Sequence, residues 1–234
     1  MVLTSDTEKC LSFVRIQLNP PDKGPRKELG ERPVLTISRQ TGAGGTAVAG
    51  AVADYLNERK GKRDVAWTVF DRNLIEVVLE DHELPKQLAE WMPEDRFSGI
   101  SDAVEELLGL HPSRALMIRQ TTETILRLAE MGSCILVGRG AHVITSTFPN
   151  AFHVRLVGSV EARTARVMDA QELSRKAAAA YVAREDKARQ RFVKKFFKAD
   201  IDDPLTYHLV LNTDRIPPDE AAKLIGEAVL LRSR

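Results

Sequence analysis

A glycine-rich segment, residues 38 to 46, combines residue types that bind phosphate groups. It reads Ser-Arg-Gln-Thr-Gly-Ala-Gly-Gly-Thr, follows a short β-type run and opens a stretch with helical character. Glycines let successive backbone N–H groups turn toward one anion, and a helix N-terminus adds partial positive charge, so this context predicts a phosphate-binding loop. The candidate phosphate ligands are Gly42, Ala43, Gly44, Gly45 and Thr46, and the Thr46 hydroxyl takes the place of the Mg²⁺-ligating Ser or Thr of such loops.

The segment departs from the usual Gly-x-x-x-x-Gly-Lys-Ser/Thr pattern at two positions. Arg39 stands at the first glycine and Gly45 at the lysine. The segment alone is therefore compatible with a divergent nucleotide loop or with a glycine-rich turn of structural role. In the first interpretation, Arg39 is a further phosphate ligand, and the charge that the lysine would carry comes from Arg39 or from an arginine farther along the chain.

Arginines recur at another predicted strand end and on predicted helices. Arg139 follows the apolar run Cys134 to Val137, at the sheet edge where doubly wound folds bind ligands. Arg163 and Arg166 lie three residues apart on one helix face, and Arg189 lies farther along the chain. Each feature alone is also typical of a plain turn or a solvated helix. Together they suit phosphoryl transfer, which depends on charge stabilisation and positioning.

Composition limits the classes of protein that fit. The 234 residues include 34 Lys and Arg against 33 Asp and Glu, a net charge of +1, so no overall charge excess indicates a nucleic acid or an anionic membrane as partner. The two cysteines and five histidines lack metal-ligand spacing. No apolar run reaches the roughly 18 residues of a membrane span, and no export signal is visible. A cytoplasmic protein is expected.

The chain divides into an extension and a larger domain. Residues 1 to 33 form an N-terminal extension that ends in a proline-rich, charged linker from residue 19. Its apolar part, residues 11 to 18, fits a helix or a strand and packs on the main body or on a second subunit. From residue 34 to 234, apolar bursts alternate with amphipathic stretches, which predicts a parallel sheet flanked by helices. The predicted strands are Val34 to Ser38, Val65 to Phe70, Cys134 to Val137, His153 to Val157 and His208 to Asn212.

In combination, these segments resemble the cytidylate kinase-like family, a branch of the P-loop nucleoside monophosphate kinases. The most specific pieces are Ser38-Arg39-Gln40-x-Gly42-x-Gly44-Gly45 and Val137-Gly138-Arg139-Gly140. Further landmarks follow in the same order as in that family, and they are Phe70-Asp71-Arg72-x-Leu74-Ile75, Phe148-Pro149-Asn150, Ser159-Val160-Glu161-x-Arg163-x-x-Arg166, Asp186-x-x-Arg189 and Asp203-Pro204-x-x-Tyr207.

The resemblance implies a three-layer α/β P-loop NTPase fold with a helical lid, here about residues 163 to 203. It implies ATP and Mg²⁺ as cofactors and a nucleoside monophosphate or another small acceptor as substrate. Residues 42 to 46 would then bind the donor phosphates, Asp71 and Arg72 would border the acceptor pocket, and Arg139 would bind the acceptor phosphate. The catalytic lid arginines would be Arg163, Arg166 and Arg189.

Two more positions depart from the pattern of that family. Gly140 stands where an acid follows Gly-Arg, and Val182 stands where a lid arginine is expected. A nucleotide-binding module without turnover therefore remains an alternative to an ATP-dependent kinase. A second alternative is a nucleic-acid-binding protein that uses the basic stretch from Arg184 to Lys198, which the shortage of stacking aromatics disfavours. A homodimer stays open.

Overall fold

The computed structural model describes residues 5–18, 31–61, 64–71 and 112–232. Its five strands form one parallel sheet with the spatial order β2-β3-β1-β4-β5. The strands are β1 Val34–Arg39, β2 Thr68–Phe70, β3 Cys134–Val137, β4 Ala151–Val157 and β5 Leu209–Asn212. The described helices are α1 Ser5–Leu18, α2 Gly45–Arg59, α3 Pro112–Met131, α4 Ala141–Ile144, α5 Val160–Gln171, α6 Arg175–Phe197 and α7 Pro218–Arg232, with a 3₁₀ turn at Pro204–Thr206.

Alternating side chains of the central strands enter two separate cores. Val34 of β1 packs in a cluster with α1, α3 and α4, whereas Leu35 and Ile37 pack in a cluster with α2 and α7. A strand buried on both faces in this way reads as a continuous apolar run, which is the pattern of parallel sheets. The three-layer α/β fold expected from the sequence is confirmed.

The N-terminal segment forms a helix that belongs to the first of these cores. Phe13 is 3% exposed and meets Phe70 of β2 edge to face, with ring centroids 5.5 Å apart. Cys10 and Val14 lie in the same cluster. The thiols of Cys10 and Cys134 are buried, and each donates to a backbone carbonyl, that of Val69 at 3.3 Å and that of Leu128 at 3.2 Å. The apolar part of the N-terminal extension is therefore a helix and not a strand, and it packs on the main body.

Two capped helices, α5 and α6, pack against each other beside the sheet. The Ser159 hydroxyl accepts a hydrogen bond from the Ala162 amide at the start of α5, and Ser174 does the same for Ala177 at the start of α6. Val182 is buried between the two helices with Val167 and Ala178. Apolar packing thus explains why Val182 replaces the arginine that the resemblance leads one to expect.

The strand predicted over Val65 to Phe70 is shorter than expected. Only Thr68–Phe70 pairs with β3. The Trp67 amide donates instead to the Asn57 side chain of α2 at 2.7 Å, and the Trp67 carbonyl accepts from the same side chain at 3.0 Å. These two bonds take the Trp67 backbone out of the sheet ladder.

Several sequence-based predictions fall outside the described residues. They are the linker from residue 19 up to residue 30, Arg72, and the predicted helix containing Leu74 and Ile75. Within the described residues, no helix is long and apolar enough to cross a bilayer.

Candidate functional site

The site lies where the parallel strands end. Arg39 ends β1, Asp71 follows β2 and Arg139 lies two residues after β3. Gly158 follows β4, and Thr213 follows β5. Parallel strands share one direction, so these residues meet at the carboxyl edge of the sheet, the usual ligand-binding edge of open α/β folds.

The glycine loop at this edge leaves space for an anion. Gly42 and Gly44 have φ angles of 77° and 75°, in the left-handed region that favours glycine. A Cβ built on Gly44 would meet no atom of the described residues within 4 Å, so the space beside the loop is open toward them. The first amides of α2, from Gly44 to Thr46, have no acceptor inside the helix. They are suited to bind an oxyanion, and Ala43 closes the turn by donating to the Gln40 carbonyl at 3.1 Å.

Arg39 lies across this loop in the space that Gly45 leaves. A Cβ on Gly45 would stand 2.8 Å from the Arg39 Cγ. The Arg39 guanidinium also packs against Gly138, which has a φ of 86°. Partial burial and the neighbouring charge of Arg189 lower the pKa of Arg39 to about 10, while Asp71 acts in the opposite direction. Arg39 therefore stays protonated at neutral pH and places a positive charge at the carboxyl edge of the sheet, with its aliphatic part beside Gly45 and its guanidinium beside Gly138.

Asp186 of α6 ties that helix to the glycine loop. Its Oδ1 accepts hydrogen bonds from both the amide and the hydroxyl of Thr41 at 2.7 Å, and its Oδ2 accepts from Arg163 at 2.6 Å. Burial alone would raise the pKa of Asp186, but the bonds from Thr41 and Arg163 hold it below its usual range. Arg189 donates to the same carboxylate at 3.2 Å and also to the Thr41 hydroxyl.

Arg163 and Arg166 of α5 bind the backbone of the loop. Arg163 is buried and donates to the carbonyls of Gly158 at 2.9 Å and Thr41 at 3.0 Å. Arg166 donates to the Gly42 carbonyl at 3.1 Å and to the Thr213 carbonyl at 2.8 Å. Both arginines lie beside the glycine loop, and in this structure they hold the loop against the ends of β4 and β5; their catalytic role stays a prediction.

Arg189 faces a small polar cavity of about 40 Å³ that Arg39 and Arg155 also line. The Nε of Arg189 is buried and has no hydrogen-bond partner in the part of the chain that the structure describes. A volume of that size holds about one or two water molecules or a comparable small group. Three arginines from β1, β4 and α6 therefore surround one small space, together with the carboxylates of Asp186 and Asp202.

Arg155 is a residue of the site that the sequence interpretation missed. It is 4% exposed and donates to the Ser38 hydroxyl at 2.8 Å and to Asp202 at 2.5 Å. Asp202 also accepts from Gln190 of α6 at 2.7 Å. The signal was an arginine inside the apolar run of β4, since a charged residue is rarely buried unless it is paired.

Arg139 borders a second, larger cavity on the other side of the site. This cavity has a volume of about 270 Å³ and lies between α3 and the end of α6. Gly140 follows Arg139, and a Cβ there would stand 2.5 Å from the Phe197 ring. The glycine that replaces the expected acid therefore makes room for an aromatic side chain.

Thr46 of the predicted loop and Arg184 of the predicted lid region are both exposed. Thr46 is exposed on the first turn of α2, and its role as a Mg²⁺ ligand stays a prediction. No group of three or more His, Cys, Asp or Glu side chains suited to a metal occurs among the described residues. Mg²⁺ is usually bound by one or two protein oxygens together with substrate phosphates, so the Thr46 hydroxyl fits a Mg²⁺ that arrives with a nucleotide. Arg184 is exposed beside Glu185 and does not reach the site.

Comparison with known proteins identifies the family. Residues 34–215 match the model of the Cytidylate kinase-like family. The chain belongs to this family. The match covers all five strands and the α5–α6 pair, so the residues of the site lie within the family's own domain.

Two crystal structures resemble this family member. An uncharacterized protein from Eubacterium ventriosum has a TM-score of 0.63 and 20% sequence identity, over 86% of this chain and 99% of that one. TT1252 from Thermus thermophilus has a TM-score of 0.44 and 17% identity, over 88% of this chain and 98% of that one. The first similarity supports the fold. No curated protein matches the chain.

Proposed function

We propose that the chain transfers the terminal phosphoryl group of ATP to a nucleoside monophosphate or another small acceptor. The observation that carries the proposal is the charge at the carboxyl edge of the sheet. Arg39 lies close enough to Arg189, Arg139 and Arg155 for all three to lower its pKa. Arginines gathered around the N-terminus of a helix suit a ligand with several phosphate groups.

The geometry suggests a role for each part of the site. The amides at the start of α2 would hold the donor phosphates, and Arg39 would neutralise them in place of a lysine. Arg139 would bind the acceptor, and Arg189 would stabilise the charge that develops between the two substrates. Mg²⁺ would neutralise part of the phosphate charge when bound with the nucleotide.

The reaction balances without a protein nucleophile. The bond between the terminal phosphorus of ATP and its bridging oxygen breaks, which releases ADP. A new bond forms from that phosphorus to an oxygen of the acceptor, whose proton, if it carries one, passes to solvent. Such a transfer needs positioning and charge stabilisation more than covalent help, and arginines provide both.

The test is ADP release from ATP and Mg²⁺ with each common nucleoside monophosphate in turn. We expect acceptor-dependent ADP release, and we expect Arg139→Ala to lower it by at least tenfold, which corresponds to about 1.4 kcal/mol. Arg184→Ala is the matched control, because Arg184 is exposed on α6 and pairs with Glu185. ATP binding without ADP release would indicate a nucleotide-binding module. Absence of ATP binding would refute the proposal.

A further inference from the structure

The cavity beside Arg139 is apolar over most of its surface. Phe192, Phe196 and Phe197 of α6 line one side, and Met117 and Ile118 of α3 line the other. The Phe192 ring lies 5.1 Å from the Phe196 ring and 5.8 Å from the Phe197 ring. Aromatic surface of this kind favours an apolar or aromatic occupant, because burial removes it from water.

The cavity is linked to the arginine cluster through Arg139. Arg139 lines the cavity, and its charge also acts on Arg39 across the site. The cavity thus has a positive end toward the phosphate-transfer site and an aromatic body away from it. A ligand that fills both parts has an anionic group attached to an apolar ring.

Two neighbouring threonines provide the polar character of the α3 wall. The Thr121 hydroxyl donates to the Met117 carbonyl of its own helix at 2.8 Å. Thr122 is 2% exposed, and its hydroxyl has no hydrogen-bond partner among the described residues. A buried hydroxyl without a partner costs about 1–3 kcal/mol, and a ligand hydroxyl would recover part of that cost.

Gly140 links this cavity to the glycine-arginine turn. Any side chain at position 140 would collide with the Phe197 ring. The acid that the resemblance leads one to expect at this position would give the acceptor a polar contact. Here the same space is filled by an aromatic ring, so the pocket is suited to an acceptor with less polar surface than a nucleobase.

We propose that this cavity binds the body of the acceptor, and that the acceptor is a phosphate monoester of an aromatic compound bearing one hydroxyl group. The volume of about 270 Å³ suits such a molecule, since a cavity of roughly 150 Å³ is enough for benzene. Arg139 would bind the phosphate of this acceptor, the phenylalanines would pack on its ring, and Thr122 would form a hydrogen bond with its hydroxyl. This inference rests on the proposed function for the identity of the site, but its test does not require turnover.

The test is calorimetric binding in the absence of ATP. The ligands are inorganic phosphate, phenyl phosphate, its ortho-, meta- and para-hydroxy derivatives, and cytidine monophosphate. We expect phenyl phosphate to bind at least tenfold more tightly than inorganic phosphate. At least one hydroxy derivative should bind a further threefold to tenfold more tightly, the size of one net hydrogen bond.

Variants assign these gains to particular side chains. Phe192→Leu and Phe192→Ala should weaken the affinity for phenyl phosphate by about fivefold and tenfold, respectively. Neither variant should change the affinity for inorganic phosphate. Thr122→Val should abolish the advantage of the best hydroxy derivative while keeping phenyl phosphate binding. Thr121→Val is the matched control: it removes a hydroxyl that is already bonded to Met117, and the advantage should persist.

Three results would overturn the inference. They are cytidine monophosphate binding more tightly than every phenyl phosphate, equal affinities in the wild type and both Phe192 variants, and a hydroxyl advantage that survives Thr122→Val. Thr122→Val conserves shape, so it tests the pocket even if the Phe192 variants fold poorly. Measurement of ADP release distinguishes failure of the proposed function from failure of this inference. If aromatic phosphates bind but no ADP is released, the inference about the pocket holds and the proposed kinase activity is refuted.

Discussion

Arg39 and Gly45 occupy one space in this structure. A Cβ on Gly45 would stand 2.8 Å from the Arg39 Cγ, closer than such atoms come in folded proteins. The two departures from the usual phosphate loop, Arg39 and Gly45, are therefore linked in space. Gly45 lacks the side chain that a lysine would have there, and the Arg39 side chain from the end of β1 fills that space. In the proposed function, the positive charge would therefore reach the phosphates from the end of a strand instead of from a helix.

Because Arg39 and Gly45 share this space, the effect of a substitution at position 45 should depend on the residue at position 39. Gly45→Lys alone should lower the free energy of unfolding by about 1–3 kcal/mol, because it forces a side chain into filled space. The double variant Arg39→Gly/Gly45→Lys should recover most of that loss and should bind ATP more tightly than Arg39→Gly alone. Urea denaturation and calorimetry measure both effects. Equal stabilities of the single and double lysine variants would contradict the shared space.

Asp186 should matter for the attachment of α6 to the glycine loop. Asp186→Asn removes the charge partner of buried Arg163 and should lower the free energy of unfolding by about 3 kcal/mol. Glu185→Gln is the control on the preceding residue, since its partner Arg184 is exposed and the expected change is about 0.5 kcal/mol or less. Similar losses in the two variants would argue that the Asp186 contacts do not stabilise the fold.

His142 should make the protein sensitive to acid. It is buried against Tyr207, and burial together with the charge of Arg155 lowers its pKa from 6.5 to about 4. Between these two pH values the unfolded chain binds a proton that the folded chain excludes, so stability falls as the pH falls from 6.5 to 4, by up to about 3 kcal/mol.

The variant His142→Gln tests this assignment through the slope of stability against pH. Urea denaturation from pH 7 to 4.5 should show a flatter dependence in the variant than in the wild type, whatever its stability at pH 7. His153 contributes in the same direction, because burial and His208 lower its pKa to about 3, so the slope should not vanish. An unchanged slope would show that His142 is not the group responsible.

Helix α1 should contribute to the stability of the domain. Phe13→Ala removes a ring that is 3% exposed and should cost about 3–5 kcal/mol in thermal or chemical unfolding. Ile16→Ala, on the same helix but 44% exposed, should cost much less. Equal effects of the two changes would contradict the packing of α1 against β2.

The sequence predicted the elements better than the contacts between them. β1 and β3 are short apolar runs, so local patterns were sufficient to place them. The path of Arg39 could not be predicted, since it depends on space left by Gly45 and Gly138, which are distant from each other in sequence. The hydrogen bond from the Thr41 amide to the Asp186 carboxylate likewise joins residues 145 positions apart, and only the fold brings them together.

Comparison of ATP binding by the wild type and by Arg39→Met is the most direct test of the role proposed for Arg39. Methionine keeps much of the apolar length of the arginine and removes its charge. With Mg²⁺ present, calorimetry should show a loss of affinity of about 10- to 100-fold, the effect of one charged hydrogen bond to phosphate. The control variant Arg59→Met, at the exposed far end of α2, should bind ATP with the affinity of the wild type. Equal ATP affinity in Arg39→Met and the wild type would contradict the claim that Arg39 replaces the lysine.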